Sequence, residues 1–130
     1  MKEILVPISP GELLDKITIL EIKSERIDDP QKVANVRHEL ELLSKVWSDS
    51  VTEDKVIAGL HQQLKTINEE LWEIEDDIRD EERQNRFGER FIELARAVYV
   101  TNDKRAEAKK GVNLHLGSEI VEEKSYQDYS

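Results

Sequence analysis

The side chains best suited to chemistry lie where an apolar helical stripe turns polar. Apolar residues at positions 91, 94 and 98 recur at steps of three and four residues, and the same face continues into Thr101, Asn102 and Arg105. Polar groups buried without partners cost about 1–3 kcal/mol, so these side chains need partners or a wet groove. Alternatively, the apolar stripe simply ends and the helix continues into solvent.

A ligand site is one function for this polar stretch. When the helix is folded antiparallel against the preceding one, two residues of the earlier helix fall at the same level. The candidate ligand-binding residues are then Asn68, Trp72, Arg96, Tyr99, Asn102, Asp103 and Arg105. Arg96 and Arg105 would bind anionic groups, and Trp72 or Tyr99 would stack on a flat ring.

A run of carboxylates between positions 69 and 82 makes a metal site a second candidate. Its Glu-x-x-Glu and Glu-x-x-Asp spacings put carboxylates on adjacent helical turns, and Mg²⁺ or Mn²⁺ prefers such oxygen ligands. Glu75, Asp76 and Asp103 are the candidate ligands, and Mg²⁺ is the candidate cofactor. Alternatively, no cofactor is needed and the run is a solvated face with Arg79 and Arg83 in local ion pairs.

Two families of all-α enzymes offer comparisons for these motifs. All-α nucleoside-triphosphate pyrophosphatases use similar carboxylates from two helices, but here the second helix offers only Glu89 and Glu93, and neither precedes an Asp at that spacing. The stretch from Leu14 to Arg26 resembles the first helix of the helical chorismate mutases, which ends in a substrate-binding Arg. Shared helical periodicity alone would produce that likeness.

Composition excludes several classes of function. The chain has 130 residues and a net charge of −10, so it repels phosphate backbones and we expect no nucleic-acid partner. It has no cysteine for disulfides or thiol chemistry. No apolar run approaches the roughly 20 residues of a membrane span, so we expect no membrane insertion. The first residues lack the features of a secretory signal, and we expect a cytoplasmic protein.

Four amphipathic helices must position the candidate residues. Patterns and capping signals predict them over about 10–27, 30–47, 53–84 and 88–111, followed by a polar tail at 117–130. The third helix has the most regular apolar seam, at positions 57, 60, 64, 67, 71, 74 and 78, which is typical of a coiled coil. The prediction is therefore a single all-α domain over 1–130, with antiparallel helical hairpins forming a four-helix bundle.

A short arm precedes the first helix. Residues 2–8 are rich in β-branched and apolar side chains, and Pro7 limits them to an edge strand or an extended arm. The other strand-like run is 119–122, so the arm is predicted to pair with it.

The apolar stripes are thin for a chain of this length, and aromatic residues are scarce. We therefore expect part of the seam to be covered by a second copy or a protein partner. The first functional hypothesis is a non-enzymatic interaction or oligomerisation module. The alternative is a protein that binds a small molecule or nucleotide sugar, or a metal-dependent nucleotide-processing enzyme, with its site between the third and fourth helices.

The chain resembles an uncharacterised family of small all-helical bacterial and phage proteins. The resemblance begins with the run Ile8–Lys23 (ISPGELLDKITILEIK) and continues in Leu71–Asp76, Asn102–Ala106 and Glu122–Tyr126. It covers nearly the whole chain and implies an all-helical fold without assigning an activity. Genes for relatives sometimes accompany genes for surface-polysaccharide synthesis. This implies a genomic context but no mechanism. The resemblance adds weight to the Glu-Asp, Asn-Asp and Glu-Glu-Lys-Ser-Tyr motifs.

Overall fold

The protein is an all-α domain of four helices. The structure, a computed structural model, describes residues 2–129. The helices are α1 (Pro10–Arg26), α2 (Pro30–Ser50), α3 (Lys55–Arg83) and α4 (Glu89–Leu116). The predicted fold class and the four helices are confirmed. Within the described range, no helix has the length and apolar character required to cross a bilayer.

The helix boundaries follow local capping chemistry. Ser9 caps α1 by accepting a hydrogen bond from the Glu12 amide at 3.2 Å, and Pro10 occupies the first turn. Asp29 caps α2 by accepting from the amides of Gln31 and Lys32.

Two predicted boundaries were wrong. Helix α2 continues to Ser50, beyond the predicted end at 47, and the cap of α3 is Asp54, which accepts from the Ile57 amide at 2.8 Å, and not Thr52, which the sequence predicts as the cap. The sequence predicts that the fourth helix ends near Gly111 or Gly117, and the helix passes through Gly111 and ends at Leu116. It ends there because Gly117 adopts a left-handed conformation, with φ of 66°.

The central helix is α1, although the seam of α3 is more regular. Helix α1 packs against each of the other three helices, whereas α2 packs against α1 alone. Eight of the 17 residues of α1 are buried, against five of the 29 in α3. The core is completed by residues of the other helices packing around α1: Trp47 from α2, Ile57, Leu64 and Ile67 from α3, and Ala108 and Val112 from α4.

The predicted pairing of the arm with residues 119–122 does not occur as a strand ladder. Neither segment forms a strand in the described part of the chain. The two segments meet at a single side-chain bond, in which Ser9 Oγ donates to Glu122 Oε1 at 2.9 Å. Pro7 removes one backbone donor from the arm, and residues 2–8 are all exposed.

A hydrogen bond between a glutamate and a histidine joins α1 to α3. Nε2 of His61 lies 2.7 Å from Oε1 of Glu21, and this hydrogen bond raises the pKa of His61 although partial burial opposes it. Because the folded-state pKa is raised, the stabilisation is complete below the unfolded value near 6.5 and is lost as pH rises through the folded value.

An NMR titration of the His61 imidazole checks this expectation. The pKa should lie above 6.5 in the unmodified protein and should move back toward 6.5 in Glu21→Gln. The melting temperature of the unmodified protein should fall over the same pH interval more than that of Glu21→Gln. A His61 pKa at or below the ordinary value would contradict the contact.

Candidate functional site

The most organised polar structure lies where α1 crosses α4, and we call it the α1–α4 polar cluster. It is built from charged and polar side chains of α1, α3, α4 and the C-terminal tail: Ser9, Glu12, Asp15, Thr18, Asn68, Arg105, Lys109, Asn113 and Glu122. The contacts of α1 at positions 11, 12 and 15 meet α4 at 113, 109 and 105, so the two helices run antiparallel.

Asp15 is the buried centre of the cluster. Its side chain is only 1% exposed, and Arg105 donates to both carboxylate oxygens in a forked pair, with Nε 2.8 Å from Oδ1. Asn68 donates to the same carboxylate at 2.9 Å and to the Thr18 hydroxyl at 3.0 Å. Thr18 in turn donates to the Asp15 carbonyl. The buried polar side-chain atoms of residues 2–129 are all paired, as a stable core requires.

Ion pairs and hydrogen bonds shift the pKa values of the charged groups in the cluster. Burial alone would raise the pKa of Asp15, but hydrogen bonds from Arg105 and Asn68 outweigh it and the pKa is lowered. The bond to Asp15 raises the pKa of Arg105. Burial opposes the charged form of Lys109, yet its bonds to Glu12 and Glu122 raise its pKa. The pKa shifts of Asp15, Arg105 and Lys109 therefore all favour the charged forms.

Close helix packing brings these charges together. The amide of Gly11 donates to Asn113 Oδ1 at 2.7 Å, and a Cβ atom at Gly11 would lie 2.3 Å from the Lys109 carbonyl oxygen. Only glycine allows the first turn of α1 to contact α4 at this distance. The contact brings the side chain of Glu12 to the Lys109 ammonium group, 2.5 Å away.

A groove of about 1000 Å³ adjoins the cluster, between α4 and the C-terminal tail. We call it the α4–tail groove. Apolar and aromatic side chains line it together with several charged ones: Val98, Tyr99, Asn102, Asp103, Arg105, Ala106, Lys109, Lys110, Asn113 and Leu114 from α4, and Ser118, Ile120, Val121, Glu122, Glu123, Lys124, Tyr126, Gln127 and Tyr129 from the tail.

The tail is held over the groove by side-chain contacts at its two ends. Near α1, Glu122 accepts from Ser9 and, at 3.2 Å, from Lys109. At the other end the ring of Tyr129 packs on Tyr99, with centroids 5.0 Å apart. Between them Lys124 pairs with Asp103, and hydrogen bonds from Lys124 and Tyr129 lower the pKa of Asp103.

The structure brings four of the seven candidate ligand-binding residues together and places the other three elsewhere. Tyr99, Asn102, Asp103 and Arg105 line the α4–tail groove. Asn68 does not, because its side chain is buried against α1. Trp72 lies beside α1, where the Arg26 guanidinium is 5.9 Å from its ring centroid. Arg96 is exposed on α4 outside the groove. The seven residues therefore do not line a single pocket: Asn68 belongs to the buried cluster, and Trp72 and Arg96 lie outside both the cluster and the groove.

The candidate metal ligands do not come together. Within residues 2–129, no group of three or more His, Asp or Glu side chains is placed to hold a metal ion. Glu75 of α3 pairs with Arg79 at 3.2 Å, whereas Asp103 of α4 pairs with Lys124 of the tail. Arg79 and Arg83 both form local ion pairs, as the solvated-face interpretation predicted.

Sequence reasoning missed most of the residues that complete the site, on α1 and on the second half of α4. The missed residues are Ser9, Gly11, Glu12, Asp15, Lys109 and Asn113, whereas Glu122 lies in the Glu-Glu-Lys-Ser-Tyr motif to which the resemblance adds weight. One signal was available, because Asp15 stands among the apolar positions 13, 14 and 17 on the buried face of its helix. A carboxylate at a core position requires a buried cation, and Arg105 supplies it.

These features define an all-α domain in which an ionised cluster fixes one helix against a tail-covered groove. The chain belongs to the family of unknown function DUF6165, whose model matches residues 4–129. The matched range includes the runs that form the cluster and the groove. The comparison with curated proteins gave no match, and the comparison with solved structures gave none either.

Proposed function

We propose that this domain is a non-enzymatic binding module and that its ligand occupies the α4–tail groove. The observation that carries the proposal is the groove itself, whose volume of about 1000 Å³ suits a small organic molecule. Its walls combine apolar and aromatic surface with charged side chains. Such a combination lets apolar contacts supply affinity while polar groups fix orientation.

The two ends of the groove differ in chemistry, and this suggests the class of ligand. Arg105 and Lys109 lie at the end near α1, and Tyr99 and Tyr129 lie at the other. Tyr99 and Lys109 are ten residues apart on α4, which is about 15 Å along a helix. A molecule with a flat or apolar body and an acidic group fits this arrangement. Nucleotides and nucleotide sugars belong to that class, because each joins a flat base to acidic phosphate groups.

The ionisation of the groove supports binding over proton transfer. The pKa shifts of Asp103, Arg105 and Lys109 all favour the charged forms. A general acid or base works best with a pKa near the operating pH, whereas these shifts move each pKa away from neutrality. Fixed charges of this kind are suited to positioning a charged ligand.

The dye 8-anilinonaphthalene-1-sulfonate, an aromatic ring system with an acidic group, is a suitable probe of the groove. We expect saturable fluorescence enhancement with the unmodified protein. Tyr99→Ala should weaken the affinity about tenfold, because stacking on one aromatic ring contributes about 1–3 kcal/mol. Phe87→Ala is the matched control, since Phe87 is a half-exposed aromatic residue outside the groove, and it should bind the dye as the unmodified protein does.

Circular dichroism melts of the three proteins confirm that the dye reports on folded molecules. Competition by nucleotides and nucleotide sugars then ranks natural ligand classes. Absence of saturable dye binding, or equal affinity in Tyr99→Ala and Phe87→Ala, would overturn the proposal.

A second candidate function is self-association in the cytoplasm. Apolar side chains remain exposed on the arm and on the outer face of α2, where Leu42 is 47% and Val46 is 49% exposed. Such surfaces favour association with a partner. The absence of cysteine agrees with a reducing compartment.

A further inference from the structure

The α1 end of the α4–tail groove holds an acidic group that belongs to the chain itself, the carboxylate of Glu122. Its Oε1 accepts from the Ser9 hydroxyl at 2.9 Å, and its Oε2 accepts from Lys109 Nζ at 3.2 Å. Glu122 and Lys109 both line the groove. A ligand with an acidic group therefore meets a carboxylate that already uses these donors.

The two donors are held by the helices and not by the tail. Ser9 is 2% exposed, and its oxygen accepts from the Glu12 amide at 3.2 Å, so its single proton is left to donate to Glu122. The Lys109 side chain is 15% exposed, and its ammonium group also bonds to Glu12, at 2.5 Å. Both donors are therefore fixed by contacts that do not involve Glu122.

The acceptor, by contrast, lies on a segment that few contacts hold. Within the described chain, residues 119–127 form no backbone-to-backbone hydrogen bond with the helices. The Glu122 side chain is 44% exposed, and ion pairs with an exposed partner contribute little to stability. Its contact with the helices can therefore break when another acceptor takes its place.

The charges of the cluster leave a place for one negative charge at this position. Arg105 forms one ion pair, with Asp15. Lys109 forms another, with Glu12. Both pairs are neutral before Glu122 is counted. An acidic group with one charge can therefore replace Glu122 without changing the net charge of the cluster.

We propose that Glu122 occupies the subsite for the acidic group of the ligand, and that the ligand displaces it to bind Ser9 and Lys109. This inference rests on the ligand site proposed above and names the residues that bind the acidic group. The group carries one negative charge, as a carboxylate, a sulfonate or a phosphodiester does. The tail is then a strap that opens at Glu122 when such a ligand enters the groove.

Two dyes that differ only in the acidic group test the displacement. One is 8-anilinonaphthalene-1-sulfonate, and the other is N-phenyl-1-naphthylamine, which has the same ring system without the sulfonate. Fluorescence titrations of Glu122→Gln should show about fivefold tighter binding of the sulfonate dye than of the unmodified protein, because the competing ion pair is removed. The affinity for the uncharged dye should not change.

Glu119→Gln is the matched control. Glu119 is exposed on the same tail and lies outside the groove, so its substitution removes the same charge and leaves the contacts of Glu122 intact. It should bind both dyes as the unmodified protein does, and both variants should melt as that protein does because both side chains are exposed. Equal gains in affinity for the sulfonate dye in the two variants would mean that net charge sets the affinity, and would overturn the proposal.

A spin label on the tail reports the opening directly. The chain has no cysteine, so Ser125→Cys provides a single attachment site, and Ser125 is exposed and outside the groove. The sulfonate dye should increase the mobility of this label in the electron paramagnetic resonance spectrum, and the uncharged dye should not. A label at Ser50→Cys, at the end of α2, should respond to neither dye.

The possible failures are distinguishable. Absence of saturable dye binding would remove the ligand site proposed above and the displacement with it. Saturable binding of the sulfonate dye with equal affinity in Glu122→Gln and the unmodified protein would keep the ligand site and overturn the displacement. Tighter binding of both dyes in Glu122→Gln would show that the tail only covers the groove, and would also overturn it.

Discussion

Asp15→Asn is expected to lower the free energy of unfolding by about 3 kcal/mol, because it removes the charge that Arg105 requires. The substitution keeps the size of the side chain and isolates the effect of the charge. Arg105 is 30% exposed and can partly rehydrate, so the loss should lie at the low end of the range for a broken buried pair. In a domain of this size the melting temperature should fall by roughly 10 °C.

The control for this prediction is Asp49→Asn. Asp49 pairs with Lys45 at 2.7 Å, but both side chains are more than half exposed, and such pairs contribute less than about 1 kcal/mol. Urea unfolding of the three proteins measures the difference. Equal losses in Asp15→Asn and Asp49→Asn would mean that the buried pair is no stronger than a surface one. Replacing both Asp15 and Arg105 with apolar residues should recover much of the stability, since no unpaired charge remains.

Acid unfolding tests the same pair by its pH dependence. The folded-state pKa of Asp15 is lowered because hydrogen bonds from Arg105 and Asn68 outweigh the effect of burial. Its contribution to stability is therefore present above the unfolded value of about 3.9 and is lost as pH falls through the folded value. Asp15→Asn should show a weaker loss of stability over that acidic interval than the unmodified protein.

The sequence predicted the helices because their signals are local. Ser9, Asp29 and Pro30 define starts through caps that act within one turn, and apolar spacing identifies the buried faces. It did not predict that α1 is central, because a regular seam such as that of α3 shows amphipathicity and not the number of neighbours. Helix α1 is shorter but is buried around most of its circumference, so its stripe is wide and less regular.

The sequence predicted the part of the candidate site that lies on one helix and not the part that depends on how separate segments are placed. Tyr99, Asn102, Asp103 and Arg105 lie on one helix, and their common position follows from spacing alone. Asn68 was assigned to the same pocket by counting residues from a turn. Each residue turns a helix by about 100°, so an error of one residue moves a side chain to another face. The tail cannot be placed by periodicity at all, because it is held by individual side chains such as Glu122 and Tyr129.

Gly11→Ala is the second large effect that we expect, and its sign reverses the usual rule for helices. Alanine normally stabilises a helix over glycine by about 0.5–1 kcal/mol. At Gly11 the new Cβ would lie 2.3 Å from the Lys109 carbonyl oxygen and 2.9 Å from Asn113 Oδ1. The nearer atom belongs to the backbone of α4 and cannot rotate away, so α1 itself must move. Overpacking of this kind costs about 1–3 kcal/mol, and displacement of Glu12 from Lys109 adds to it.

Gly59→Ala provides the same substitution with the opposite expected sign. Gly59 lies in the interior of α3, and a Cβ there would meet no atom within 4 Å. Urea unfolding should therefore show a gain of about 0.5–1 kcal/mol for Gly59→Ala and a loss of about 2–3 kcal/mol for Gly11→Ala. Equal gains at both positions would show that α1 and α4 lie further apart than this structure places them. The ion pairs from Glu12 and Asp15 to α4 would then be weaker as well, because the Gly11 contact sets the separation of the two helices across the cluster.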